Sequence, residues 1–194
     1  MKTDPFENFC WLNPSHIMIE ETKLLITAHP HSDFSIDYTT GEALLNAAYY
    51  YTEKQGDFVL RAKVSHEFKS VYDACALMAL VDDIHWAKLC FEYTDIHTHS
   101  VVSVVANGLA DDANGVDIQG ETVWIQLARK GNIFSMHYST DGEHYKMVRH
   151  FSMSCGEMLK VGLVAQSPLG DGGLFTFEAI KLESTTLSDI RKGL

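Results

Sequence analysis

The sequence predicts an all-β protein in which short antiparallel strands form a sandwich or a barrel. Two observations favour this class. Apolar residues recur with a period of two, and Gly, Asn and Asp residues typical of turns separate the apolar runs. Strands do not alternate with helical patterns along the chain, so a doubly wound parallel sheet is not expected.

The predicted strands are distributed along nearly the whole chain. They are Lys23–Ala28, Ala43–Tyr51, Asp57–Val64, Val71–Val81, His85–Tyr93, Ser100–Ala106, Thr122–Arg129, Ile133–Tyr138, Tyr145–Phe151, Leu159–Gln166 and Leu174–Leu182. Near the C-terminus, Ser188 can cap one helical turn that Gly193 would end. We therefore expect a single β-sandwich domain over residues 1–194, with a ragged N-terminal segment and a short C-terminal helical tail.

The composition indicates a globular protein that does not favour anionic partners. Hydrophobic residues make up 46% and charged residues 21% of the 194 residues, and the net charge is −11. The negative charge argues against nucleic acid or an anionic membrane as a partner. No signal peptide or transmembrane run is apparent, and the four cysteines are widely spaced. These features predict a cytoplasmic location.

The strand His85–Tyr93 places unusual side chains on one face. Alternation puts Trp86, Lys88 and Glu92 together, with the apolar core face opposite. The small residues Ala74 and Ala76 of the preceding strand would leave room beside them. Such a surface is typical of a sugar-binding floor with an aromatic platform. The alternative is a solvated convex face that carries a weak Lys88–Glu92 ion pair.

Two further features bear on this site. Trp124 and Gln126 share a face of their strand and would extend the platform if that strand lies in the same sheet. Asp73 falls on the other face of its strand, and a buried carboxylate there must be hydrogen-bonded or paired. We expect Asp73 to be a structural carboxylate that accepts backbone N–H groups, with catalysis as the alternative.

Motifs of known catalytic or cofactor sites are not found. The chain has no nucleophile elbow, P-loop or G-x-G-x-x-G motif, so no cofactor is predicted. Glycoside hydrolysis requires two carboxyl groups, and Glu92 with a second carboxylate would supply them. The H-x-H pairs His29/His31 and His97/His99 fall in predicted loops, where surface histidines are expected, and we predict no metal site.

One set of motifs resembles a known family. Tyr72-Asp73, Leu77-Met78 and Trp86-x-Lys88-x-x-x-Glu92 resemble the pattern YDQAGLM…WIKxGIE of a concanavalin A-like family of unknown function, the "regulation of enolase" type proteins. The resemblance covers roughly residues 9 to 183. Its further segments are Asp33-Phe34, Gly56-Asp57-Phe58, Val123–Arg129, Tyr138–Tyr145 and Ser167–Phe177.

The resemblance implies a concanavalin A-like jelly-roll sandwich of two antiparallel sheets, in which the concave sheet offers a groove. Carbohydrate-binding modules, lectins and glucanases share related sandwiches, but a fold does not fix a function. The family pattern has Gln, Gly, Gly and Trp at four positions where this chain has Ala74, Ala76, Cys90 and Ser35. These departures predict a narrowed or altered groove.

Three functions are compatible with these observations. The leading one is non-catalytic binding of a saccharide or related polyol by Trp86, Lys88 and Glu92, supported by Trp124 and Gln126. The alternatives are a glycoside-active enzyme that uses Glu92, and a protein-interaction module that regulates a metabolic enzyme. The open edge strands of a sandwich would also allow a homodimer.

Overall fold

Residues 6, 8–20 and 22–194 are described by the computed structural model, and among them there are strands and turns but no helix. The strands are β1 (Cys10–Leu12), β2 (Ile17–Glu20), β3 (Lys23–Ala28), β4 (Phe34–Ile36), β5 (Ala43–Leu45), β6 (Ala48–Gln55), β7 (Phe58–His66), β8 (Ala74–Asp82), β9 (His85–Tyr93), β10 (His99–Asn107), β11 (Ala110–Asp117), β12 (Val123–Lys130), β13 (Ile133–Ser139), β14 (Lys146–Ser152), β15 (Met158–Gln166) and β16 (Gly173–Glu183).

Two large antiparallel sheets form the sandwich. Sheet A has the strand order β1-β6-β15-β8-β9-β10-β11, and sheet B has the order β14-β13-β12-β7-β16-β3-β2. The strands β4 and β5 pair with each other and form a separate two-stranded sheet. The predicted class, an all-β sandwich of two antiparallel sheets, is confirmed.

The main core fills the space between the two sheets. It follows from the alternation of apolar residues in each strand, because successive side chains point to opposite faces. In β7 the residues Phe58, Leu60, Ala62 and Val64 face the core, and in β9 the core face holds Ala87, Leu89 and Phe91. All of these side chains are buried to 1% exposure or less.

A second apolar cluster covers the other face of sheet A, which we call its outer face. The strands β4 and β5 with their connecting turn, residues Phe34–Leu45, fold over this face, and we call them the cover hairpin. Phe34 and Ile36 pack there against Met78, Trp86 and other residues of sheet A. Sheet A is therefore buried on both faces at its centre. This explains why β8, β9 and β10 each contain seven consecutive buried residues.

Several parts of the chain differ from the expectations or lie outside the described residues. The predicted helical tail is a hydrogen-bonded turn, since the N–H of Asp189 and the N–H of Leu194 each donate to the other residue's carbonyl oxygen. Most of the ragged N-terminal segment, residues 1–5 and 7, lies outside the described residues, while Phe9 and Trp11 pack on Tyr50. The strands β1, β2, β4 and β11 were not predicted, and the predicted strand Ala43–Tyr51 is divided between β5 and β6. Within the described residues there is no helix of the length and apolar character needed to cross a membrane.

Candidate functional site

A polar cavity of about 340 Å³ lies between the cover hairpin and the outer face of sheet A. Its floor is buried and its rim is exposed. The lining residues are Asp33, Phe34, Ser35, Ile36, Tyr72, Lys88, Glu92, Asp95, Val102, Val104, Ala110, Asp112, Asn114 and Gln166. The predicted residues Lys88 and Glu92 thus lie in one cavity.

The register of sheet A builds the floor from neighbouring strands. Its rows of opposed residues are Asp112, Val104, Lys88 and Met78; then Asn114, Val102, Cys90 and Ala76; and then Ser100, Glu92, Ala74 and Gln166. Lys88 and Glu92 are four residues apart, which is about 13 Å along a strand. That spacing explains why Lys88 pairs with a residue of another segment rather than with Glu92.

Lys88 is held by two oxygen atoms. Its Nζ donates to Asp33 Oδ1 and to Gln166 Oε1, each at 2.8 Å. The Lys88 side chain is only 4% exposed. Burial alone would lower its pKa, but the nearby carboxylates, Asp33 above all, outweigh burial, and the pKa is raised. Lys88 is therefore charged at neutral pH and links the floor to the segment that enters the cover hairpin.

Glu92 is also buried in the floor of the cavity, but it has no comparable partner. The residue is 8% exposed, and its carboxyl group takes part in no hydrogen bond with the residues that the structure describes. Burial raises its pKa to about 8, and the carboxylates of Asp33, Asp112 and Asp95 act in the same direction, while Lys88 opposes them. At neutral pH Glu92 is thus largely protonated, and its carboxyl group can bond to a ligand in the cavity.

The missed strand β11 adds two polar residues to the rim. Asp112 and Asn114 point to the same side as Lys88 and Cys90, since their opposed residues on β10 alternate in the same way. Burial of part of the Asp112 carboxyl group raises its pKa, and the charge of Asp33 adds to the effect. The segment Ala110–Asp117 reads as polar, and nothing in its composition signals a strand.

Trp86 does not form an exposed aromatic platform, so that prediction is wrong. The residue is 0% exposed, because the cover hairpin lies on it. Phe34 packs edge-on against the indole with ring centroids 6.5 Å apart. The ammonium of Lys88 lies 5.8 Å from the centre of the Trp86 ring. Trp86 thus supports Lys88 and the hairpin, and it does not line the cavity.

Trp124 and Gln126 do not join the site either. Both lie on β12, which belongs to sheet B, and they project from the side of that sheet away from the core. The main core therefore separates them from the cavity. Gln126 is 0% exposed, and its amide bonds to Arg61, His137 and the carbonyl oxygen of Gly193 in the C-terminal turn. The prediction failed because alternation within a strand does not show which sheet the strand joins.

Asp73 immediately precedes β8 and is 3% exposed. It accepts hydrogen bonds from the hydroxyl of Ser167 at 2.6 Å and from the N–H of Ser70 at 3.0 Å. Burial raises its pKa, and the two hydrogen bonds act against the rise. The turn that Asp73 closes presents Tyr72 at the rim, where Tyr72 has φ of 70°. A bulky residue in this left-handed region is strained, and strain of this kind is often found beside binding sites.

The arrangement suits neutral or cationic polar ligands. Carboxyl groups and amides lie around a floor that also contains apolar Val102 and Val104. In the part of the chain that the structure describes, no three His, Cys, Asp or Glu side chains are grouped to hold a metal ion.

Comparison with known proteins places this fold among β-sandwich modules. Regulation of enolase protein 1 from Saccharomyces cerevisiae is 25% identical over 169 residues, which is 86% of this chain and 85% of the yeast protein. The crystal structure of a functionally unknown protein from Saccharomyces cerevisiae superposes with a TM-score of 0.84 at 23% identity, over 93% of this chain and 98% of that one.

A carbohydrate-binding module has the same architecture. Carbohydrate-binding module CBM66 from Bacillus subtilis superposes with a TM-score of 0.60 at 13% identity, and the match covers 93% of this chain and 98% of the module. At this identity the likeness shows the jelly-roll fold alone. The family model described as "Protein of unknown function (DUF1349)" matches residues 11–185. The chain therefore belongs to this family.

Proposed function

We propose that this protein binds a saccharide or a related polyol, without transforming it, in the cavity beneath the cover hairpin. The observation that carries the proposal is Glu92, a carboxyl group that is 8% exposed, lines the cavity and has no hydrogen bond to any residue described. The Glu92 carboxyl group is largely shielded from solvent and opens only toward the cavity, so a ligand that enters the cavity can supply the hydrogen bond that the protein does not.

Hydroxyl groups suit this cavity for a chemical reason. A hydroxyl both donates and accepts, so a polyol can bond to Glu92 in either protonation state and to the amide of Asn114. Val102 and Val104 offer apolar contact to C–H groups of the same ligand. The volume of about 340 Å³ is within the range of about 300–1,000 Å³ typical of small-molecule sites. The fold shared with a carbohydrate-binding module is consistent with this class of ligand.

A thermal-shift screen of monosaccharides and sugar alcohols tests the proposal, followed by calorimetric titration of each compound that raises the melting temperature. We expect the wild type to bind a member of the panel, and Asp112→Asn and Asn114→Leu to bind it at least about tenfold more weakly. Glu53→Gln is the control, because Glu53 is an exposed carboxylate on β6 outside the cavity. The proposal fails if no compound binds, or if the cavity variants bind as well as the control.

A glycoside-active enzyme is the second candidate, and the same residue favours it. A Glu92 with a pKa of about 8 is protonated at neutral pH, as a general acid must be. Asp95 and Asp112 place further carboxyl groups in the cavity. Hydrolysis of aryl glycosides that disappears in Glu92→Gln would support this candidate and contradict the non-catalytic proposal. A panel of such substrates with no turnover between about pH 5 and pH 9 would exclude it.

A further inference from the structure

The cavity carries an imbalance of charge. Four carboxyl groups line it, those of Asp33, Glu92, Asp95 and Asp112, while the only cationic group in the lining is the ammonium of Lys88. Lys88 is already engaged, since it donates to Asp33 and to Gln166 at 2.8 Å. Its charge also acts on Glu92 and Asp112, so a single lining cation is shared among the carboxyl groups of the cavity.

Glu92 is the carboxyl group on which the other charges of the cavity act most clearly. Its carboxyl group is buried in the floor, opens toward the cavity and receives no hydrogen bond from any part of the chain that the structure describes. The titratable groups that interact with it are Lys88 and Cys90 on its own strand, Asp33 before the cover hairpin, Asp112 on β11, Asp95 after β9 and Tyr72 before β8. Only one of these six is a cation.

The charge selects among ligand classes. An anionic ligand such as a sugar phosphate would meet like charges, which raises the free energy of binding. A neutral polyol satisfies the hydrogen bonds of Glu92 but has no charge to offset the carboxyl groups of Asp95 and Asp112. A ligand with an ammonium group does both, and hydrogen bonds between charged groups are roughly twice as strong as neutral ones.

We propose that the preferred ligand of this cavity is a polyhydroxylated amine, such as an amino sugar or an amino-polyol, whose ammonium group pairs with the Glu92 carboxylate. This inference rests on the proposed binding of saccharides and polyols, and it names the chemical class within that group. Because Glu92 holds a proton at neutral pH before a ligand binds, pairing with the ammonium requires that this proton leaves to solvent as the ligand enters.

Matched ligand pairs test the inference. Glucamine and sorbitol differ by one amino group in place of one hydroxyl group, and glucosamine and glucose form a second pair. Titration calorimetry at about pH 7 in two buffers of different ionisation enthalpy gives both the affinity and the number of protons released. We expect the amine of a pair to bind at least about tenfold more tightly than its parent, with release of up to one proton.

Glu92→Gln separates the possible outcomes. This variant keeps the shape of the side chain, so it should lose the preference for the amine and the proton release while it still binds the parent polyol. Glu53→Gln serves as the control and should retain both. Equal binding of amine and parent by the wild type overturns the inference but leaves the proposed function intact, as does an amine preference that persists in Glu92→Gln. Binding of neither compound overturns both.

Discussion

The ammonium of Lys88 lies 2.8 Å from Oδ1 of Asp33, and this ion pair joins strand β9 to the segment that enters the cover hairpin. The side chains are 4% and 18% exposed. The same Asp33 oxygen accepts the N–H of Phe34, while the Asp33 N–H donates to Asn46 Oδ1 at the far end of the hairpin. Through these contacts, Asp33 connects the floor of the cavity with both ends of the cover hairpin.

Replacement of Lys88 by methionine should destabilise the protein. The change leaves Asp33 without its partner and removes a positive charge from a cavity rich in carboxyl groups. Loss of one half of a buried ion pair typically lowers the free energy of unfolding by about 3–5 kcal/mol. We expect a decrease of about 3 kcal/mol for Lys88→Met, measured by urea denaturation at neutral pH.

A double-mutant cycle with Asp33→Asn serves as the control. Asparagine keeps an acceptor for the Phe34 N–H and removes the unpaired charge, so Lys88→Met with Asp33→Asn should recover part of the lost stability. If the two substitutions change the free energy of unfolding additively, Lys88 and Asp33 do not stabilise each other, and the ion pair does not hold the cover hairpin in place.

Local patterns determined much of the fold in advance. The period of two in β9 predicted its bounds, and it also predicted that Trp86, Lys88 and Glu92 share one face. Side chains of a strand alternate regardless of what covers each face, so these predictions needed no tertiary information.

The cover on that face was not predictable in the same way. Phe34 is more than fifty positions before Trp86 in the chain, and the alternation in β9 is the same whether water or a hairpin lies above it. In the same way, the alternation in the strand of Trp124 did not show that this strand belongs to sheet B. The strand β11 was missed because Asp111, Asp112 and Asn114 have low strand propensity, which an exposed edge strand tolerates.

Substitution of Trp86 should lower the stability of the protein rather than remove a contact with a ligand, because Trp86 is buried and does not line the cavity. Removal of a fully buried aromatic side chain typically lowers the free energy of unfolding by about 3–5 kcal/mol, and we expect this loss for Trp86→Ala. Trp86→Phe should be milder, because it keeps the contact with Phe34 and removes an indole N–H that has no acceptor among the described residues. Chemical denaturation of both variants gives the comparison. An effect of Trp86→Ala below about 0.5 kcal/mol, as for a surface residue, would contradict the buried position.

Asp73 should contribute through its hydrogen bonds to the turn before β8. In Asp73→Ala the Ser167 hydroxyl and the Ser70 N–H lose their acceptor, and we expect a loss of about 2 kcal/mol in the free energy of unfolding. Ser167→Ala should be less harmful, because Asp73 then keeps the bond from Ser70. If both variants are as stable as the wild type, Asp73 does not have the structural role proposed for it.

The stability of the protein should decrease as pH rises through the range in which Glu92 titrates. The unfolded chain releases this proton near the reference pKa of 4.5, whereas the folded protein retains it up to a pKa of about 8. Between these values the folded state binds more protons than the unfolded state, so a higher pH lowers the free energy of unfolding. Glu92→Gln has no proton to lose, and its melting temperature should therefore depend less on pH between about 5 and 8 than that of the wild type. The variant should also be the more stable of the two at about pH 8. Melting curves of the wild type, Glu92→Gln and Glu53→Gln across this range measure the difference, and parallel pH profiles for all three would show that Glu92 ionises without a penalty in the folded protein.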